Sequence, residues 1–154
     1  MSTPALPRLT SALPEEHRSR LTGLAREVEF AADTRLFNEG GHADRFWVLR
    51  SGTVTLDMRI PGRRPAVIET LCSDELVGWS WLFRPYVWQL GAQAKTPVHA
   101  YEFDAPLVRD LMAADPVFAS AVGGWVGRVL AHRLHASRVR LLDLYGPYGS
   151  GSGV

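Results

Sequence analysis

The sequence predicts a mainly β fold, a barrel or sandwich of short strands with helices on its flanks, of which the jelly roll is one form. Three observations support this. Between residues 28 and 103, short apolar runs alternate with glycine, proline and aspartate, as in strands joined by tight turns. Helical patterns precede and follow that stretch. The length of 154 residues and the hydrophobic content of 46% fit one globular domain.

The N-terminal region is predicted to be a flexible leader, residues 1–13, followed by one helix that opens the domain. Pro14 and the acidic Glu15 and Glu16 are typical of a helix start, because proline fits the first turn and acids face the positive end of the helix dipole. The helix is expected to end near Glu27, and the domain to cover residues 14–145.

The central region contains four runs with the composition of strands. Ser51 and Gly52 lie between the first two and predict a tight hairpin. Residues 38–41 and 61–65 are rich in glycine, proline and asparagine and predict further turns. The predicted strands are 45–50, 53–60, 66–71 and 98–103.

The C-terminal region is predicted to hold two helices. Asp104 is an N-cap for a short helix that ends near residue 112. Asp115 and Pro116 open a long helix over residues 116–144. The Gly/Ser-rich residues 146–154 are expected to be a flexible tail.

The long helix carries the predicted dimer contact. An apolar stripe along it would face a twofold partner, so a homodimer is expected. Gly123, Gly124 and Gly127 lie inside the helix and indicate either close packing of another backbone or a break near Gly123. Basic residues give the helix either a solvated face, the default, or a nucleic-acid contact: Arg128, Arg133, Arg138 and Arg140. The predicted dimer residues are Val122, Val126, Val129, Leu130, Leu134 and Leu141.

Composition limits the cellular setting. The formal net charge of +1 gives no general reason to expect nucleic acid or an anionic membrane as partner. The single cysteine, Cys72, cannot form an internal disulfide. The first 14 residues lack the apolar run of a signal peptide, and no segment approaches the roughly 20 apolar residues of a membrane span. We therefore expect a cytoplasmic protein without membrane association.

The motifs of common enzyme and metal sites do not occur in the sequence. It contains no His-x-His pair, no G-x-S-x-G and no Gly-Lys-Ser/Thr loop. His132 and His135 could share a helix face, but no third ligand lies nearby in the sequence. A metal- or haem-dependent barrel, with His99 as an axial ligand, is kept as a weaker alternative. We expect no catalytic residue, no metal site and no cofactor.

Residues 36–52, LFNEGGHADRFWVLRSG, resemble the signature of cyclic nucleotide-binding domains, in which glycine and acidic or small residues precede an apolar strand and another glycine. Gly40, Gly52 and Gly78 fall where that family needs tight turns. The resemblance is to the sensor domain of catabolite-activator-like regulators and covers about residues 13–145. It implies a double-stranded β-helix (jelly-roll) barrel with a long C-terminal helix.

The resemblance places a phosphate-binding cassette at residues 77–92. In the family a short helix directs its N–H groups at the cyclic phosphate, an arginine pairs with that phosphate, and a glutamate accepts the ribose hydroxyl. Here Trp79 replaces the glutamate, and Trp88, or Gln89 with another gap placement, replaces the arginine. Losing both bonds would weaken cyclic AMP binding by about 10²- to 10⁴-fold. The candidate ligand-binding residues are Gly78, Trp79, Ser80, Trp81, Arg84, Trp88, Gln89 and Leu90.

The aromatic residues of this cassette have three interpretations: a pocket that stacks on a flat ligand, rings that fill the pocket, or a protein-docking patch. The sequence thus predicts a non-catalytic regulatory module that senses a small molecule or nucleotide. The alternative is a degenerate domain that serves in dimerisation or protein docking. Sequence-specific DNA binding by the chain alone is not expected, since about ten residues follow Leu144 and are Gly/Ser-rich.

Overall fold

The computed structural model describes residues 9–151 and contains the predicted jelly-roll barrel. Eight strands pair antiparallel in two four-stranded sheets around one core, in the orders β1-β8-β3-β6 and β2-β7-β4-β5. The strands are β1 (Arg26–Phe30), β2 (Arg35–Phe37), β3 (Arg45–Ser51), β4 (Val54–Met58), β5 (Ala66–Leu71), β6 (Leu76–Val77), β7 (Gly91–Ala94) and β8 (Val98–Asp104).

The four predicted strands correspond to β3, β4, β5 and β8, each with its bounds within two residues of the prediction. The hairpin between β3 and β4 depends on Gly52, whose φ is +90° and whose added Cβ would lie 2.2 Å from the Pro97 carbonyl oxygen. β1, β2, β6 and β7 were not predicted as strands. The first helix was expected to end near Glu27, but it ends at Thr22 and β1 begins at Arg26. β6 and β7 are short, and β7 consists of Gly, Ala, Gln and Ala, which carry little strand signal.

Helices flank the barrel at both ends of the chain. They are α1 (Leu9–Ala12), α2 (Glu15–Thr22), α3 (Ala105–Ala114) and α4 (Pro116–Gly151), and one 3₁₀ turn lies at Ser80–Leu82. The side chain of Asp104 accepts from the backbone N–H of Leu107 at 3.0 Å, which confirms the predicted N-cap of α3. No helix within residues 9–151 combines the length and apolar character that crossing a membrane requires.

Asp115 starts α4, as the sequence predicts. One of its carboxylate oxygens accepts from the backbone N–H of Val117 and of Phe118, both at 3.1 Å. The other oxygen pairs with Arg20 of α2. The hydrogen bond from Arg20, followed by that from the backbone of Phe118, holds the pKa of Asp115 below its ordinary value. The cap therefore joins α2 to the start of α4.

Two predictions at the chain ends need correction. Residues 9–13 are not a loose leader, since Leu9 and Leu13 are each only 2% exposed and pack in the core. The prolines upstream led to the prediction of a loose leader. Burial of the apolar side chains in residues 9–13 nevertheless favours packing of this stretch against the rest of the domain. At the other end, α4 continues to Gly151, past the predicted end at residue 144. Residues 1–8 and 152–154 lie outside the described residues.

Candidate functional site

A small cavity inside the barrel lies where the sequence predicts the ligand pocket. Its volume is about 20 Å³, which is room for about one water molecule. Six of the eight predicted ligand-binding residues line it, together with Phe37, Leu56 and Arg133. The six are Gly78, Trp79, Ser80, Trp88, Gln89 and Leu90.

The side chain of Trp88 lines the cavity and packs against Phe37 and Gly78. It is 5% exposed, and its ring stacks on Phe37 with 3.8 Å between centroids and 13° between planes. Phe37 in turn stacks on Trp47 at 5.7 Å. Gly78 lies at the edge of the indole, where an added Cβ would come within 2.6 Å of two atoms of the Trp88 ring. Glycine at 78 therefore makes the space that the ring occupies.

The backbone at Trp88 is held by the turn that carries the family signature. Gly40 N–H donates to the Trp88 carbonyl at 2.8 Å, and Trp88 N–H donates to the Gly41 carbonyl at 2.9 Å. Two residues earlier, the Tyr86 carbonyl accepts from Ala43 N–H at 2.7 Å. These hydrogen bonds fix the backbone position of Trp88.

Trp79 and Ser80, the first residue of the 3₁₀ turn, follow β6 in the chain and line the cavity. Trp79 is half-buried and meets Phe83 edge to face, with 6.0 Å between centroids. Ser80 is buried and begins a turn of only three residues. The glutamate that the family resemblance would place after Gly78 is thus replaced by an apolar ring. On the far side, Gln89 is exposed and its amide donates to the Val87 carbonyl at 3.2 Å.

Two of the predicted ligand-binding residues do not line the cavity. Trp81 is fully buried in the main core, where it stacks on Phe46 at 4.0 Å. Arg84 is exposed, and its guanidinium lies 6.0 Å from the ring of Tyr86. Both placements were wrong because a tight turn sends successive side chains in different directions, and the sequence does not give those directions.

Arg133 lines the cavity, although the sequence analysis placed it only among the basic residues of the long helix. Its side chain is 13% exposed; it donates to the Leu76 carbonyl and lies 3.4 Å from a carboxylate oxygen of Glu69. Burial lowers the pKa of this guanidinium, and the carboxylates of Glu69 and Glu75 only partly oppose that effect. The helical spacing from Val129 to Arg133 was the available signal, because it puts Arg133 on the inward face of α4.

Other arginines of α4 also contact the chain's own backbone. Arg128 donates to the Ala12 carbonyl at 2.7 Å, and Arg140 donates to the Ile68 carbonyl. These bonds join α4 to α1 and to β5. The basic character of the helix is explained in part by attachment to the rest of the domain, and a nucleic-acid contact gains no support from it.

Half of the predicted dimer stripe lies inside the domain. Val122 and Val126 are 0% exposed and Val129 is 2% exposed, so their prediction as interface residues was wrong. They were misplaced because α4 packs one apolar face on its own barrel and helices, and a stripe alone does not name its partner. Leu130 is half-buried against the core, whereas Leu134 and Leu141 are each 53% exposed.

A different row of residues on α4 is open to solvent. Its members are exposed and follow one another at alternating spacings of four and three, which keeps them on one side of a helix. The helix runs unbroken through the glycines of this region, and a Cβ added at Gly124 or Gly127 would meet no atom within 4 Å. We call this row the open seam: Ser120, Gly124, Gly127, Ala131, Leu134, Arg138 and Leu141.

Within residues 9–151, no three histidine, cysteine, aspartate or glutamate side chains are grouped as a metal site requires. The elements that meet at the cavity are a barrel, a turn after β6 and a covering helix. This combination defines a jelly-roll domain with a small internal cavity that the Trp88 ring lines.

The sequence profile of the cyclic nucleotide-binding domain matches residues 27–115, more than half of the chain. The chain belongs to this family. The resemblance noted from residues 36–52 is therefore confirmed.

Two similar proteins come from bacteria. The chain is 28% identical over 124 residues to the "CRP-like cAMP-activated global transcriptional regulator" of Mycobacterium tuberculosis; that match covers 80% of the chain and 54% of the relative. The chain thus spans about half the length of this curated relative. The N-terminal domain of a transcriptional regulator from Streptomyces coelicolor is 28% identical with a TM-score of 0.66, over 90% of this chain and 93% of that one.

A cyclic nucleotide-binding domain from Methylobacillus flagellatus has a TM-score of 0.76 at 18% identity, over 84% of this chain and 73% of that one. At this identity the likeness concerns the fold. It agrees with the two sheets and the long C-terminal helix described above.

Proposed function

We propose that this chain is a non-catalytic regulatory module in which Trp88 closes the family's ligand pocket against tight binding of cyclic AMP. Membership of the cyclic nucleotide-binding family and likeness to CRP-like regulators support a regulatory, ligand-sensing role. The observation that carries the finer proposal is the position of the Trp88 ring between Phe37 and Gly78. With about 20 Å³ left, a nucleotide can enter only if that ring leaves.

Wild-type protein is expected to bind cyclic AMP with a dissociation constant of about 10⁻⁴ M or weaker. The two charge-assisted bonds that the family resemblance implies have no partner at Trp79 and Trp88. The double change Trp79→Glu and Trp88→Arg should recover part of the affinity, because it supplies an acceptor for the ribose and a bidentate donor for the phosphate, and it removes the ring beside Gly78. Isothermal calorimetry on both proteins tests this.

The matched control is Trp79→Gln with Trp88→Met, which removes the same two rings without adding charges. It should gain less affinity than the charged pair. Micromolar binding of cyclic AMP by the wild type would overturn the proposal. So would a folded charged variant that binds no better than the uncharged one.

A second candidate function is a docking module whose pocket stays filled. It is favoured by the small remaining cavity and by the two-sided hold on the Trp88 backbone. Mass spectrometry of small molecules released from the purified protein separates the two, since a sensing module should release a ligand or gain thermal stability in a metabolite panel. A docking module should do neither.

We also propose that the chain forms a homodimer through the open seam. Small residues at 124, 127 and 131 would let two helix backbones approach closely, and the exposed Leu134 and Leu141 would be covered at the far end. The contact would be made by the face of α4 that does not pack on the barrel, and Val122, Val126 and Val129 would stay in the core.

Ala131→Glu is expected to weaken the dimer by about 30-fold or more, because a charge buried without a partner at the centre of an interface costs about 2 kcal/mol or more. Ala136→Glu is the matched control, since Ala136 is also exposed but points more than a third of a turn away. Size exclusion with light scattering over a dilution series measures both. A monomeric wild type at tens of micromolar, where typical interfaces persist, contradicts the dimer.

A further inference from the structure

Arg133 reaches the cavity with fewer partners than its chemistry calls for. A guanidinium carries five N–H donors. Among the described residues, its contacts are the Leu76 carbonyl and a carboxylate oxygen of Glu69, the latter at 3.4 Å, which is long for a charge-assisted hydrogen bond. Its other donors have no partner among the described residues, and Arg133 is one of the residues that line the cavity.

The surroundings of Arg133 make this charge costly. Its side chain is only 13% exposed, and burial lowers its pKa despite Glu69 and Glu75 nearby. A buried cation is tolerated when opposite charge and hydrogen-bond acceptors surround it, and here the compensation is partial. An anion placed in the cavity would complete it.

We propose that Arg133 is the anion-binding group of this pocket, and that the pocket takes a flat organic anion whose ring replaces the indole of Trp88. The inference rests on the proposed function, because Trp88 must leave before such a ligand can enter. The ring would stack on Phe37 over Gly78, where the indole now lies. The carboxylate or phosphate of the ligand would take the free donors of Arg133.

This assignment makes α4 part of the site. Arg133 also bonds the Leu76 carbonyl of β6 and faces Glu69 of β5, so it joins α4 to two strands. A ligand anion would compete with Glu69 for the guanidinium. Binding in the cavity would then act directly on the contact between the barrel and α4.

The test uses the full chain with Trp88→Ala, which vacates an indole-shaped space, and two probes of nearly equal shape, indole-3-acetate and the neutral indole-3-acetamide. We expect the acetate to bind about 10- to 100-fold more tightly than the acetamide, the ratio that a buried charge-assisted bond supports. The preference should disappear when Arg133→Gln is added and should increase when Glu69→Gln is added. Calorimetry measures each pair of affinities.

Equal affinity for the two probes in folded Trp88→Ala overturns the assignment, as does a preference that survives Arg133→Gln or an absence of binding by either probe. If Trp88→Ala does not fold, Trp88→Phe replaces it, with acetate and acetamide as the smaller pair and the same expected preference. Cyclic AMP is also titrated into Trp88→Ala. Binding of cyclic AMP indicates a nucleotide as the source of the anion, and binding of indole-3-acetate alone indicates an aromatic carboxylate.

The two proposals can fail separately. Tight binding of cyclic AMP by the wild type would contradict a pocket closed by Trp88, yet the acetate preference would still report on Arg133. Conversely, weak binding of cyclic AMP with no charge preference in the opened variant would leave Arg133 as an attachment for α4 alone.

Discussion

Trp81→Ala is expected to lower the free energy of unfolding by about 3–5 kcal/mol, the range for a large aromatic side chain removed from a packed core. Trp81 is fully buried and stacks on Phe46, which stacks on Phe103 at 4.6 Å. Removing the indole would leave a void in the core beside Phe46, at one end of this stack of three rings. Urea denaturation followed by far-UV circular dichroism measures the loss.

Trp79→Ala is the matched control, two residues away in the same turn. Because Trp79 is half-buried at the cavity, its removal should cost about half as much or less, in proportion to the smaller buried area. A similar loss in the two variants would mean that Trp81 is not part of the core. Ligand affinity should change more in Trp79→Ala than in Trp81→Ala, because Trp79 lines the cavity and Trp81 does not.

The sequence predicted the barrel because its central strands carry strong local signals. β3 and β4 combine β-branched and aromatic residues with a glycine turn at 52, and Asp104 and Asp115 are N-caps that can be read directly. Local sequence signals do not predict the burial of residues near the ends of the chain. Leu9 and Leu13 gain their burial from contacts distant in sequence, and those contacts are visible only in the folded chain.

The candidate site was predicted in part for a related reason. The glycine at 78 and the position of Trp88 within the cassette follow from the family pattern, and both line the cavity. Trp81 and Arg84 were assigned to it because they share the segment, yet the 3₁₀ turn directs one into the core and the other into solvent. Arg133 lies 45 residues beyond Trp88 in the sequence, and only the path of α4 brings it to the pocket.

Gly78→Ala is expected to lower the free energy of unfolding by about 2–5 kcal/mol. One part, about 1–2 kcal/mol, is the strain of a side chain at φ +93°. The rest, about 1–3 kcal/mol, is overpacking, because the new Cβ would lie 2.6 Å from the edge of the Trp88 ring, and Phe37 stacks on a face of that ring. Thermal and urea unfolding measure the total.

Gly62→Ala separates these two parts. Gly62 has φ +73° and an added Cβ there meets no atom within 4 Å, so this change should show the strain alone. In a Trp88→Leu background the ring atoms nearest Gly78 are gone, and Gly78→Ala should then cost no more than Gly62→Ala. The double-mutant cycle between 78 and 88 is thus expected to give a coupling of about 1–3 kcal/mol. A coupling near zero would mean that the Trp88 ring does not rest on Gly78, and it would remove the packing contact from which the closed pocket is inferred.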